Sequence, residues 1–317
     1  MGTGAVLDVL VGGGDPTLTA AAAGQPGAYP GAARLSDLAA DVRAAHTVVR
    51  RIVVDDSAFI GPAVSPAWAS GDVPSDYGAA ITAVMTDGGR PSPASEIRSA
   101  APDLAAGHEL AALIGNTALP VVRGTDAAAT TNVGSVGSAT MAELVSQMLQ
   151  NSDNVIAECL ARQVAIATHA DASFTGAAQA VRSVLERLGT APGSSLVDGS
   201  GLAATDRISA AALASVLLAA ISPGHPELHD IVTALPVGGW SGTLAGRYTA
   251  AGTTSGAGTV RAKTGTLTGV ASLAGIVTDA DGRVLVFVLL TENAGDLIAA
   301  EGAIDTIAAR LAACGCH

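Results

Sequence analysis

The chain has 317 residues, 49% of them apolar but only 3% aromatic, so it can bury a sizeable core built mainly from Ala, Val and Leu. Its net charge is −12 and no basic run exceeds Arg50-Arg51, which argues against a nucleic-acid partner. No run of about 18 apolar residues exists, so no membrane-spanning helix is expected.

The elements follow in chain order. Residues 5–11 read as a strand, and residues 35–44 as a helix with Ser36 as its N-cap. Residues 47–54 are rich in β-branched side chains and read as a strand. Residues 79–85 read as another, stopped by Asp87-Gly88-Gly89. Residues 92–102 read as loop with a short amphipathic piece, and 104–114 as a helix closed by Gly115. Five helices are then expected: 140–149, 153–167 capped by Ser152, 174–188, 208–221 and 226–235. Three strands follow at 259–266, 269–278 and 283–290, the last two joined by a tight turn. A helix over 294–313 closes the chain. The expected fold class is α+β, an antiparallel sheet flanked by helices, with a smaller mixed α/β domain on the N-terminal side. The domain boundary is placed at Asn116, giving units 1–116 and 117–317.

Fifteen of the sixteen basic residues are Arg; the single Lys is Lys263. It opens Lys263-Thr264-Gly265-Thr266 on a predicted strand. Upstream, Ser152-Asp153-Asn154 stands at a predicted helix start. Alone, the first is an edge-strand lysine beside a glycine, and the second an ordinary helix cap. Together, in this order, S-D-N and K-T-G accompany S-x-x-K in serine acyl-transfer enzymes that act on β-lactams and peptidoglycan. The residue types suit that chemistry. A cation beside hydroxyls binds a terminal carboxylate, glycine lets a substrate backbone lie along the strand, and a serine hydroxyl relays a proton.

With these motifs the chain resembles the low-molecular-mass class C penicillin-binding proteins, the D-alanyl-D-alanine carboxypeptidase/endopeptidase family. Further segments agree: Gly14-Asp15-Pro16-Thr17-Leu18, Asp56-Ser57-Ala58-Phe59, Val84 to Gly88, Asp198-Gly199-Ser200-Gly201-Leu202, Leu235 to Gly239 and Gly242-Thr243-Leu244. The resemblance implies a penicillin-binding domain with an inserted smaller domain, and a serine-type hydrolase that needs no cofactor or metal. It implies that Ser152 relays a proton, that Asn154 holds a substrate amide, and that Lys263 favours the ionised carboxylate. Thr264, Gly265 and Thr266 would contact substrate, with the Thr266 N–H forming half of an oxyanion hole. Asp87 would reach the site from the inserted domain, or else simply form an Asp-Gly turn. The implied partners are peptidoglycan stem peptides ending in D-Ala-D-Ala and, for the intact parent, β-lactams. The implied location is extracytoplasmic, although residues 1–14 lack the basic start of a secretory signal.

One part of the pattern is missing. With Lys263 as the only lysine, no S-x-x-K exists in these residues. The chain is therefore expected to be a truncated, inactive form, less stable for want of a core helix. A class A β-lactamase is one alternative, with Glu186, inside a helical pattern, as the candidate at the expected place for the deacylating base. A non-catalytic module that binds peptidoglycan peptides or a partner is another. Cys314, Cys316 and His317 read as a loose tail, the two cysteines being too close for an easy bridge. His225 and His229 are expected to face solvent.

Overall fold

A computed structural model describes residues 6–22, 25–45, 48–125 and 131–315. The chain forms two compact units. The first comprises residues 1–144, 154–181 and 197–205, and the second 145–153, 182–196 and 206–317. This division differs from a single cut at Asn116. The reason is packing: the helix following Ser152 and the loop at 197–205 bury their apolar side chains with Phe59, Trp68 and the 79–85 run.

The first unit is built on a parallel sheet in the order β1 (Val6–Val11), β2 (Val48–Asp55), β3 (Val121–Arg123). Parallel neighbours need crossovers, which α1 (Leu35–Ala44) and α2 (Pro102–Leu113) provide. Leu35, Ala39 and Val42 recur at helical spacing and are buried. Gly107 lets α2 lie close on the sheet, since a Cβ there would meet Val121 Cγ1 at 2.5 Å. Two local expectations fail. Arg34, not Ser36, occupies the N-cap of α1 and makes no side-chain cap. Residues 79–85 are buried but form no strand. Their backbone partners are scattered: Ile81 N–H donates to Ala63 O, Val84 N–H to Asp56 Oδ1, and Ala83 O accepts from Gly14 N–H. The short strand β3 has no counterpart in the sequence reading.

The second unit holds an antiparallel meander of β4 (Val260–Leu267), β5 (Val270–Thr278) and β6 (Val284–Thr291), as expected. Asp279 Oδ1 accepts from the N–H groups of Asp281 and Arg283 and closes the β5–β6 turn. Strand alternation makes both faces apolar. Ala271, Leu273 and Val277 pack toward α8 (Leu297–Ala312), which Asp296 caps. Ala274 and Ile276 pack with Leu217, Ala220, Val232 and Leu235. Leu217 and Ala220 belong to α6 (Ala210–Ile221), capped by Ser209. The expected helix at 226–235 is reduced to a 3-10 turn, Pro226–Leu228, and one α-turn, α7 (His229–Thr233). The remaining helices are α3 (Met141–Asn151), α4 (Asn154–Ala167) and α5 (Phe174–Arg187). Cys314 is disulfide-bonded, against the expectation of a loose tail, and Cys159 is buried and outside any disulfide. Cys316 and His317 lie outside the described residues.

Candidate active site

Ser152 follows the last residue of α3 with φ 53°, in the left-handed region where glycine is usual. Asp153 N–H donates to Met148 O at 3.1 Å, the six-to-one bond of a Schellman ending. Ser152 thus ends α3 rather than capping α4, which corrects the sequence reading. A non-glycine residue here costs about 1 kcal/mol, a strain found most often at functional sites. Gln150 fixes the same helix end by donating to Ala234 O at 2.7 Å.

Lys263 lies on β4, an edge strand whose Val260 and Ala262 point into the core under α8. Alternation sends Lys263 to the opposite face. There its Nζ donates to Ser152 Oγ and to Thr264 O, each at 2.6 Å. Burial lowers the Lys263 ammonium from 10.5 to about 8, so near neutral pH it is charged yet close to losing its proton. Thr264 Oγ1 donates to Thr243 Oγ1 at 2.9 Å, and Thr266 Oγ1 to Glu301 Oε1 at 2.9 Å. A Cβ at Gly265 would stand 2.4 Å from Ser272 Oγ, which would have to rotate away. The Lys263–Ser152 pair thus occupies one face of β4, while Thr264 and Thr266 project from the other, toward Thr243 and Glu301.

The other expected residues belong to the first unit. Asn154 opens α4 and its Nδ2 donates to Tyr77 O at 3.2 Å. Asp87 is 2% exposed, with φ 52°, in the 3-10 turn Asp87–Gly89. Burial raises its carboxyl, opposed by hydrogen bonds from Thr19 and the Ala20 backbone. That geometry matches the Asp-Gly turn. In the sequence Thr243 stands only within the Gly242-Thr243-Leu244 segment, and no local pattern marks Glu301. Glu186 is exposed and pairs with Arg182 at 3.7 Å, which gives a β-lactamase base no support. His225 pairs with Glu227, while His229 Nε2 lies 3.2 Å from Ser222 O.

An antiparallel meander with a lysine–serine pair on its edge strand is the architecture of serine-type penicillin-recognising peptidases. The profile of the D-Ala-D-Ala carboxypeptidase 3 (S13) family matches residues 4–96 and 92–313, and the chain belongs to that family. It is 46% identical over 321 residues to carboxypeptidase DacB of Mycolicibacterium smegmatis, covering 98% of this chain and 68% of that one. It is 42% identical over 315 residues to a carboxypeptidase of Mycobacterium tuberculosis, covering 97% and 67% respectively. In fold it resembles penicillin binding protein 4 from Haemophilus influenzae, with a TM-score of 0.75 at 22% identity over 94% of this chain and 79% of that one. By family the chain is a D-Ala-D-Ala carboxypeptidase.

Proposed function

We propose that these residues supply the carboxylate-binding and proton-relay half of a site that cleaves terminal D-Ala from peptidoglycan stem peptides through an acyl-enzyme. The observation that carries this reading is the 2.6 Å hydrogen bond from Lys263 Nζ to Ser152 Oγ. A lysine near its titration point can hold the substrate carboxylate and polarise the serine hydroxyl, which hands a proton to the departing amine. Thr264 and Thr266 add hydroxyl contacts, the Thr266 N–H serves the oxyanion, and Asn154 holds the substrate amide. Asp87 is kept as a turn residue. The setting is extracytoplasmic, where the polymer lies, and β-lactams compete for the completed site. One of the related solved structures, a penicillin binding protein 4, is described as complexed with a β-lactam.

The nucleophile must come from outside these 317 residues, because a single lysine leaves no S-x-x-K among them. The test is incubation with a fluorescent penicillin followed by a denaturing gel. These residues alone are expected to give no labelled band. A band at their mass that disappears on heat-unfolding before labelling would contradict the reading.

A further inference from the structure

The two sheet edges of the second unit are not alike. β4, the edge that carries Lys263, is partly covered: Gly238 N–H donates to Val260 O and Ala262 N–H to Pro236 O, each at 2.9 Å. β6, the opposite edge, pairs among the described residues with β5 alone. The ladder decides which of its groups face outward. Asp279 N–H donates to Arg283 O, so the odd-numbered residues of β6 turn their backbone groups toward β5. The N–H and C=O groups of Val284, Val286, Val288 and Leu290 therefore point away from the sheet.

This edge lacks the features that keep sheet edges apart. Its sequence, Val-Leu-Val-Phe-Val-Leu-Leu-Thr, holds no charge and no proline, and its register with β5 runs without a bulge. The even-numbered side chains lie on the α6 face, where Val286 and Val288 pack with Leu217 and Ala220. Val284 and Leu290, toward the two ends, stay 51% and 40% exposed. α6 is apolar at every position but Ser215, yet only Ala212, Leu217 and Ala220 are buried, and Leu218 is 54% exposed. A helix apolar all round belongs in an interior. The strand edge and the helix packed on it thus make one apolar border.

We propose that a second copy of this chain covers this border, β6 pairing antiparallel with its own counterpart about a twofold axis at Phe287. Such pairing needs a self-complementary edge, and this one qualifies. With Phe287 on the axis, Val284 faces the partner's Leu290 and Val286 faces the partner's Val288. Outward groups then meet outward groups, which makes about eight new backbone hydrogen bonds. No charged side chain opposes a like one along the strand. In a chain of net charge −12, an uncharged edge is where two copies approach with least repulsion. At the strand ends the charges are of opposite sign. The exposed Glu292 comes opposite the partner's Gly282, beside the partner's Arg283. Arg283 is loosely held in its own turn, 3.3 Å from Asp279 and 3.4 Å from Asp281. The product is a six-stranded sheet with both α6 helices on one face. It is closed, because the pairing uses each β6 edge once, and it leaves Lys263 free on the outer edge of each copy.

The test is sedimentation equilibrium of the 317-residue chain at micromolar concentrations. A mass of twice 30.9 kDa is expected. Val284→Lys combined with Leu290→Lys sets like charges opposite each other at both ends and should give a monomer. Ile298→Lys combined with Ile307→Lys adds the same charge on α8, at positions 85% and 45% exposed, and should stay dimeric. Circular dichroism checks that both variants fold. Should the edge variant fail to fold, amide exchange of the unaltered chain decides: the Val286 and Val288 N–H groups should exchange more slowly as concentration rises. A strand from a different protein, the other kind of occupant such an edge takes, would leave the pure chain monomeric. A monomer, larger open aggregates, a dimer that survives the edge variant, a dimer lost in the α8 variant, or edge amides indifferent to concentration would overturn the proposal.

Discussion

The two units each place an unusual cation near a carboxyl or hydroxyl group, and they use it differently. In the first unit Arg162 on α4 is 1% exposed, its guanidinium 4.5 Å from the Phe174 ring centre and 5.2 Å from that of Phe59. It donates to Ala172 O at 2.6 Å and Ile60 O at 3.2 Å. One turn earlier, Glu158 is fully buried and accepts from Gly199 and Ser200 N–H at 3.0 and 2.8 Å. These two groups bind segments of their own chain. In the second unit Lys263 is only partly buried and meets a strained serine at an edge strand. A cation anchored to two backbone carbonyls and stacked between two rings holds the fold; one held by a single hydroxyl and its neighbour's carbonyl keeps a donor for substrate.

The sharpest way to break this contrast is to remove each cation. Arg162→Ala leaves a void between two rings and strips two carbonyls of their donor, so a loss of about 3–5 kcal/mol is expected. Lys263→Ala should change stability by less than about 1 kcal/mol, because burial already disfavours its charge, while abolishing D-Ala-D-Ala peptide binding. Denaturant melts of both variants check this. Equal destabilisation would erase the distinction.

A smaller effect concerns pH. Glu158 is pushed up from 4.5 to about 7, first by burial and then by the Asp198 carboxylate. Between those values the folded chain keeps the proton and the unfolded chain has lost it. Stability therefore falls as pH rises through this window. Asp56, raised to about 6 mainly by burial, acts in the same direction. Glu158→Gln should flatten the decline in unfolding free energy between pH 5 and 8 without removing it, with urea melts at both pH values as the readout. An unchanged slope would show that Glu158 ionises normally.

Much of the second unit was legible in the sequence. Alternating apolar residues at 270–278, with Asp279 to Gly282 behind them, specify a strand and turn by local chemistry alone. The residues of the Ser152–Lys263 pair were equally visible, because residue types and order reveal chemistry. What could not be read depends on tertiary partners. Residues 79–85 have a strand's composition, but the core takes them without a ladder. Ser152 looks like an N-cap because serine favours caps, yet the α3 ending claims it. β3 is three residues long, too short for a pattern, and Thr243 and Glu301 meet the β4 threonines only through folding.

The central claim is that Lys263 sits desolvated against Ser152 as a preformed half-site. Because it is the only lysine, labelling with ¹³C-lysine gives a single side-chain ε-carbon signal to follow against pH. The account predicts a midpoint near 8 that moves upward when a D-Ala-D-Ala peptide binds and changes in Ser152→Ala. A midpoint near 10.5, indifferent to the peptide and to Ser152, would contradict it.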